Sequence, residues 1–312
     1  MFADFLNRIS SLTFRKILNI LFVRLSYALS VLLKKPLVWG KPFFISIEPT
    51  AVCNLVCPQC PAGAGKVERT KKYLDPETYR CILDDISGTT AALSLYHQGE
   101  PLLHGSFPEL VKMARERNIY TVTSTNGQFM TEDVCRRLGE AGLDRIIVSL
   151  DGTDEESYQK YRIGGNFDKV TEGIRFLSEA KKAYGKPHII LQFLVFKHNQ
   201  HQVAGIRALG KELGADRVRI KTAQLEFPDA ADDLLPDRAR YRRYRRNSSG
   251  EWRLAGRLKN RCKRLWETTV ITSDGLVVPC CFDKLASYAM GSVTAGTLGQ
   301  IWKNPAYNDF RR

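Results

Sequence analysis

Long uninterrupted apolar runs are missing from this 312-residue chain. Even near the amino end, charges break every such run before the roughly 18 residues that span a bilayer. No small-residue cleavage site follows Leu33, so neither a spanning helix nor a signal peptide is expected. Internal repeats are absent, which sets solenoids and propellers aside. Histidine is scarce: His104, His188, His198 and His201 show no ligand spacing, and only His97 lies beside a motif. Acid is short relative to base, 33 residues against 47, for a net charge of +14. That charge suits a phosphate-rich, nucleic-acid or anionic-membrane partner without choosing among them. Evenly spread cysteines are missing too. Of eight, six fall in two tight groups, unlike a disulfide ladder. Close-set cysteines in a long chain point to metal binding in a reducing compartment, and a cytoplasmic protein is expected. Cys81 and Cys135 stand alone within helical patterns and read as buried, unreactive thiols.

With 44% hydrophobic and 26% charged residues, the composition is that of a globular protein with a sizeable core. Residues 1–40 form an amphipathic helical segment. Phe14, Ile17, Leu18, Leu21, Phe22, Leu25, Ala28, Leu29 and Leu32 follow three-four spacing, opposite Arg15, Lys16, Asn19 and Arg24. The apolar face is expected to pack on its own domain; the alternative is peripheral contact with an anionic membrane. After Pro42, short β-rich runs alternate with helical patterns. Strands are expected at 43–47, 91–96, 120–124, 145–150, 188–196 and 217–221, and helices at 76–86, 107–117, 132–141, 167–183 and 203–213. Such alternation implies an α/β fold, a partial (β/α)6 TIM-like barrel over 41–225 with its sites at the carboxyl ends of the strands. Residues 226–259 read as a basic linker. Its run Arg238 to Arg246, with Tyr241 and Tyr244, is expected to be a solvated helix face; nucleic acid is not expected as a partner.

The first cysteine group, Cys53, Cys57 and Cys60, directly follows the first strand in a Cx3CxxC loop. Thiolates favour zinc or iron-sulfur clusters, and a four-iron cube normally takes four protein ligands. Three thiols leave one iron open to chelation by a substrate. Further along come Gly99-Glu100-Pro101 after strand two, Ser124-Thr125-Asn126-Gly127 after strand three and Ser149-Leu150-Asp151-Gly152 after strand four.

In this order the elements resemble the radical S-adenosylmethionine (SAM) superfamily. The resemblance implies a 4Fe-4S cluster on Cys53, Cys57 and Cys60, and SAM contacts by Gly99, Glu100, Thr125, Asn126, Ser149 and Asp151. It implies reductive cleavage of SAM to a 5'-deoxyadenosyl radical that abstracts hydrogen from substrate, with a reductant such as flavodoxin or ferredoxin. One departure is visible: Gln59 stands where many relatives place an aromatic residue near the adenine. The second cysteine group, Cys262, Cys280 and Cys281, accompanies an Asp274-Gly275 hairpin in residues 260–312. It resembles the SPASM or shorter twitch extension, a small cysteine-bearing hairpin domain. The resemblance implies a second iron-sulfur cluster on Cys262 and Cys280, with Cys281 either a third ligand or an ordinary thiol. Relatives usually continue into a final cysteine pair; this sequence does not. SPASM-type relatives often modify ribosomal peptides, so a peptide or protein substrate is the first expectation. The competing reading is a non-catalytic, metal-stabilised protein that binds nucleic acid or membrane, for which Glu100 would have no role.

Overall fold

The computed structural model describes residues 2–227, 231–256 and 260–312. Six parallel strands run side by side in chain order: β1 (Phe44–Ile47), β2 (Ala92–Ser94), β3 (Tyr120–Thr125), β4 (Arg145–Ser149), β5 (His188–Val195) and β6 (Arg217–Thr222). Two helices precede them, α1 (Phe2–Ser10) and α2 (Phe14–Leu33). Between the strands lie α3 (Pro76–Ile86), α4 (Phe107–Glu116), α5 (Glu132–Ala141), the short α6 (Glu155–Gln159), α7 (Phe167–Tyr184) and α8 (Val203–Glu212). This is the parallel sheet of a partial (β/α)6 barrel. Boundaries follow local chemistry. Asp75 caps α3 through the Thr78 amide at 2.8 Å with Pro76 in the first turn, and Thr131 caps α5, which ends on left-handed Gly142.

Strand alternation separates two faces. Ile146, Val148, Ile189, Leu191 and Phe193 pack outward against the helices in the main core. Ala92, Val122, Ile147 and Ile190 form a small apolar patch on the inner face. Toward the carboxyl ends that inner face turns polar: Ser149, Gln192 and Arg219 share one row of the register.

The amino-terminal helices depart from expectation. The side of α2 turned to the protein is Lys16, Asn19, Val23, Ser26 and Ser30, a three-four seam that is mostly polar, while the apolar stripe faces outward. The reason is what α2 covers. It lies at the amino end of the sheet, where loop carbonyls need donors. Lys16 Nζ donates to Ser11 O and Asn118 O, and Asn19 Nδ2 to Lys41 O and Thr89 O. By length and composition α2 is apolar enough to cross a bilayer, but these bonds tie it flat against the domain. From α1, buried Asp4 accepts from Tyr120 Oη and pairs with Arg145, sealing the same end of the barrel.

Residues 226–259, read as a linker, hold structure of their own among the described residues. After α9 (Ala231–Leu234) and a 3-10 turn at Ala239–Tyr241, β7 (Tyr244–Arg246) pairs antiparallel with β8 (Trp252–Leu254). The arginine run is therefore a turn and a strand, not a helix face. Its Tyr-Arg alternation precedes a tight reversal at left-handed Gly250, and Arg246 sits over the Trp252 ring while pairing with Asp232.

The last segment joins the main sheet. After α10 (Arg264–Glu267), β9 (Thr268–Ile271) pairs parallel with β1 and antiparallel with β10 (Leu276–Val278), which carries β11 (Gly291–Ser292). Two helices close the chain, α11 (Leu298–Trp302) and α12 (Pro305–Arg311). Trp302 is fully buried and donates to Gly40 O, and Arg311 stacks on the Trp302 and Tyr307 rings.

The fastening is Glu48, one residue past β1 and fully buried. Its carboxylate accepts from Arg69 Nε at 2.9 Å and Nη2 at 3.3 Å, from the Gln98 amide, and from the Ser273 amide and hydroxyl. Arg69 in turn donates to Lys284 O. Burial pushes the Glu48 carboxyl upward, with Arg69 and Ser273 pulling it back. Removing one partner of such a pair strands a buried charge, so Arg69→Ala is expected to lower stability by about 3–5 kcal/mol. Urea unfolding checks this; a change within the range of a surface substitution would show that the knot is dispensable.

Candidate functional site

Cys53, Cys57 and Cys60 stand in the loop between β1 and α3. With Leu55, Tyr161, Phe196 and Ala223 they form one apolar cluster at the carboxyl ends of the strands. The loop is shaped by Cys60 N donating to Cys57 O and Val56 N to Ile163 O. Gly63 lies so close that a Cβ there would stand 2.6 Å from Cys57 N. Burial pushes the Cys57 thiol up to about 11, with Arg162 pulling the other way, and burial also raises Cys53. Such thiols stay protonated until a metal displaces the proton.

Around them stand the strand-end residues. Gly99 adopts φ +71°, and a Cβ would come within 2.3 Å of Thr50 O, so only glycine lets the Gly-Glu-Pro turn approach the cysteine loop. The Glu100 amide donates to Val52 O. Its buried carboxylate accepts from the Thr125 hydroxyl at 2.7 Å, the Asn126 amide at 2.7 Å and the Leu102 amide at 3.1 Å. Burial nonetheless raises the Glu100 pKa. The Asn126 side chain donates to Asn54 Oδ1, and its Nδ2 lies 3.9 Å from Cys53 Sγ. Ser149 ends β4 on the inner face. Asp151, fully buried, is spoken for by protein: it accepts from Leu194 N and from Arg162 Nε at 2.7 Å. Its place is behind Arg162, whose Nη1 lies 4.0 Å from Cys57 Sγ.

Sequence reasoning passed over several of these groups. Arg162 carries no motif and sits beyond an unforeseen short helix; only its closeness to the Asp151-Gly152 element could have drawn notice. Glu48 was legible solely as the residue before the cysteine loop. Gln59, the departure from the family pattern, is fully engaged by backbone. Its Oε1 accepts from the Glu226 and Phe227 amides at 2.8 Å each, and its Nε2 donates to Phe227 O. It pins the chain after β6 to the cysteine loop. Tyr161 and Phe196 stack at 4.1 Å beside the thiols.

At the other cysteine group, Cys262 and Cys281 are exposed and Cys280 is half-buried. Burial raises Cys280, and the neighbouring Cys281 and Cys262 add to it. Arg264 Nη1 lies 3.4 Å from Cys281 Sγ.

Among the described residues, no three His, Cys, Asp or Glu side chains gather as ligands of a single ion. Three separate thiols around one apolar patch fit a cluster in which each binds a different iron. Cys53, Cys57 and Cys60 would hold that cluster.

The comparisons agree with this chemistry. The radical SAM superfamily matches residues 47–207, and the SPASM iron-sulfur cluster-binding domain matches residues 262–312. The first match alone spans more than half of the chain, which belongs to the radical SAM superfamily. PqqA peptide cyclase of Gluconobacter oxydans is 29% identical over 292 residues, covering 86% of this chain and 79% of that protein. Fe-coproporphyrin III synthase of Methanosarcina barkeri is 31% identical over 169 residues, covering 54% of this chain but only 41% of that protein. SuiB of Streptococcus suis, bound to S-adenosylmethionine, superposes with a TM-score of 0.67 at 16% identity, over 92% of this chain and 71% of that one. That likeness shows the shared fold. The protein is thus a radical SAM enzyme that uses a 4Fe-4S cluster and SAM, with a SPASM extension of the iron-sulfur type.

His97 offers a test of how closed this end is. Its Nε2 is buried without a partner among the described residues, and burial, with Arg69 nearby, holds its pKa down to about 4. The unfolded chain takes up this proton near pH 6.5 while the folded one refuses it until about 4. Stability from this residue is therefore complete above pH 6.5 and falls as the pH drops toward 4. His97→Gln is expected to flatten that part of the profile. Thermal unfolding of both proteins across the range decides it, and parallel profiles would place His97 in water.

Proposed function

We propose that Cys53, Cys57 and Cys60 ligate the 4Fe-4S cluster, that Gly99, Glu100, Thr125, Asn126 and Ser149 line the SAM site, and that the substrate is a peptide or protein presenting acidic groups. Bound together, cluster and SAM supply one-electron cleavage of SAM and hydrogen abstraction. The chain's own residues do the rest. Glu100 organises the ends of β2 and β3, Asp151 orients Arg162 toward the cysteine loop, and Tyr161 and Phe196 keep water from it. Cys262 and Cys280, with Cys281 beside them, are the proposed ligands of the auxiliary site. Flavodoxin or ferredoxin is the proposed reductant, in a cytoplasmic setting.

The observation that carries the substrate class is a row of cations. Arg217, Arg219 and Lys221 alternate along β6 in register with Ile190, Gln192 and Leu194, so they share the inner face with Ser149. Arg219, Lys221 and Arg243 form no ion pair with the described residues. Burial lowers the Lys221 pKa, and neighbouring Arg219, Arg243 and Arg264 lower it further. An unneutralised cluster of this kind at a barrel mouth attracts an anionic group. Peptide is favoured as its bearer because PqqA peptide cyclase resembles this chain over most of both lengths, and because SuiB, of the same fold, is known bound to precursor peptide SuiA.

After anaerobic reconstitution and reduction, wild type is expected to form 5'-deoxyadenosine and the Cys53→Ala, Cys57→Ala, Cys60→Ala variant none. A short peptide encoded beside the gene should lose hydrogen by mass spectrometry. Arg219→Glu with Lys221→Glu should raise its KM by at least about tenfold, with a smaller effect on kcat. SAM cleavage that never alters the peptide, or a KM indifferent to charge reversal, would refute the peptide reading while leaving the initiating chemistry standing.

A further inference from the structure

The apolar stripe of α2 is left facing outward, and α1 extends it. Phe14, Leu21, Leu25 and Leu32 are 74%, 57%, 51% and 75% exposed, and Phe5 and Ile9 of α1 are exposed as well. A contiguous apolar face of this extent marks a surface that something else covers. Its polar back makes the orientation firm, because Lys16, Asn19 and Ser30 are engaged by backbone groups of the domain. Turning the helix over would break those bonds.

Charge identifies what covers it. From Phe5 to Ile47 the chain has seven Lys and Arg and no acidic residue, half of the net charge of the whole protein. Arg8, Arg15, Lys34 and Lys35 are exposed, whereas Arg24 leans toward Glu267. At the carboxyl end of α2, a cleft of about 270 Å³ is lined by Lys34, Lys35, Arg261, Arg311 and Arg312, with no acidic side chain in its lining among the described residues. A second copy of this chain laid face to face would bring these cations together with nothing opposite to neutralise them. An anionic lipid surface satisfies both features at once, its acyl region taking the apolar stripe and its phosphates the basic rim and cleft.

We propose that α1 and α2 dock this enzyme flat on an anionic membrane, with a phospholipid headgroup in the basic cleft beside Lys34 and Arg311. The side of α2 facing the protein meets the segments just before β1, β2 and β3, while the cysteine loop sits at the opposite, carboxyl ends. Docking therefore leaves the mouth of the barrel turned to the aqueous phase.

The test is flotation of the full-length protein with vesicles of phosphatidylcholine alone and of equimolar phosphatidylcholine and phosphatidylglycerol. Binding is expected to the anionic vesicles, weaker by at least about tenfold to the neutral ones, and reduced by salt. Leu21→Glu with Leu25→Glu should abolish it while leaving 5'-deoxyadenosine formation in solution unchanged, which shows that the variant is folded. Lys34→Glu with Lys35→Glu should weaken it by at least about tenfold. Failure of the active wild type to bind either vesicle overturns the proposal, as does binding that the Leu21 and Leu25 changes leave intact. A dimer in light scattering that those changes dissociate, without vesicle binding, assigns the face to a second copy instead.

Discussion

The fold hangs on a buried carboxylate. Glu48 leaves β1 where the cysteine loop begins, and it receives donors from three directions: Arg69 at the far end of that loop, Gln98 at the start of the Gly-Glu-Pro turn, and Ser273 in the carboxyl-terminal hairpin. A charge in such a place gains little net stability over a well-packed apolar group. What it supplies is a common anchor, since its two oxygens take donors from all three segments at once. The cysteine loop, strand two and the SPASM hairpin are thereby held to one another. Glu100 repeats the device one strand along, gathering Leu102, Thr125 and Asn126 about a second buried carboxylate. Both carboxylates sit at the ends of strands, where the parallel sheet stops supplying backbone partners.

How much of this could be read beforehand follows from the range of the forces involved. Helices α3 and α5 agree with expectation to the residue, because Asp75 with Pro76, and Thr131 with Gly142, mark their ends through bonds three or four residues long. Strands β1 to β6 fall within two residues of their expected limits because burial on two faces leaves a compact β-branched run. The strand-end motifs were legible for the same reason: each is a local turn. What escaped was every contact made across long sequence separations. Arg69 meets Lys284, Gln59 meets Phe227, and the hairpin strand β9 lies against β1. Nothing in a window of ten residues distinguishes Arg162 from any other arginine.

The error over α2 is of another kind. Three-four spacing of apolar residues correctly indicated a helix and its two faces. The further step, that the apolar face turns inward, assumes that the surface beneath is apolar. At the amino end of a parallel sheet it is not, since the loops entering β1, β2 and β3 present carbonyls of Lys41, Thr89 and Asn118 that need donors. A lysine and an asparagine at the seam meet that need, and the leucines are displaced outward. Periodicity defines a helix's stripes; the chemistry of the partner surface decides which stripe is buried.

This division of the two ends has a consequence for the enzyme as a whole. The first cysteine loop and the strand-end residues proposed for SAM lie at the carboxyl ends of the strands, where inner-face side chains are small or polar and the cation row of β6 is open. The amino end is plugged by Asp4 between Tyr120 and Arg145. On the assignment proposed above, SAM and substrate enter by that carboxyl-end face. The auxiliary cysteines are set apart from that face, since Cys262 lines the cleft at the carboxyl end of α2.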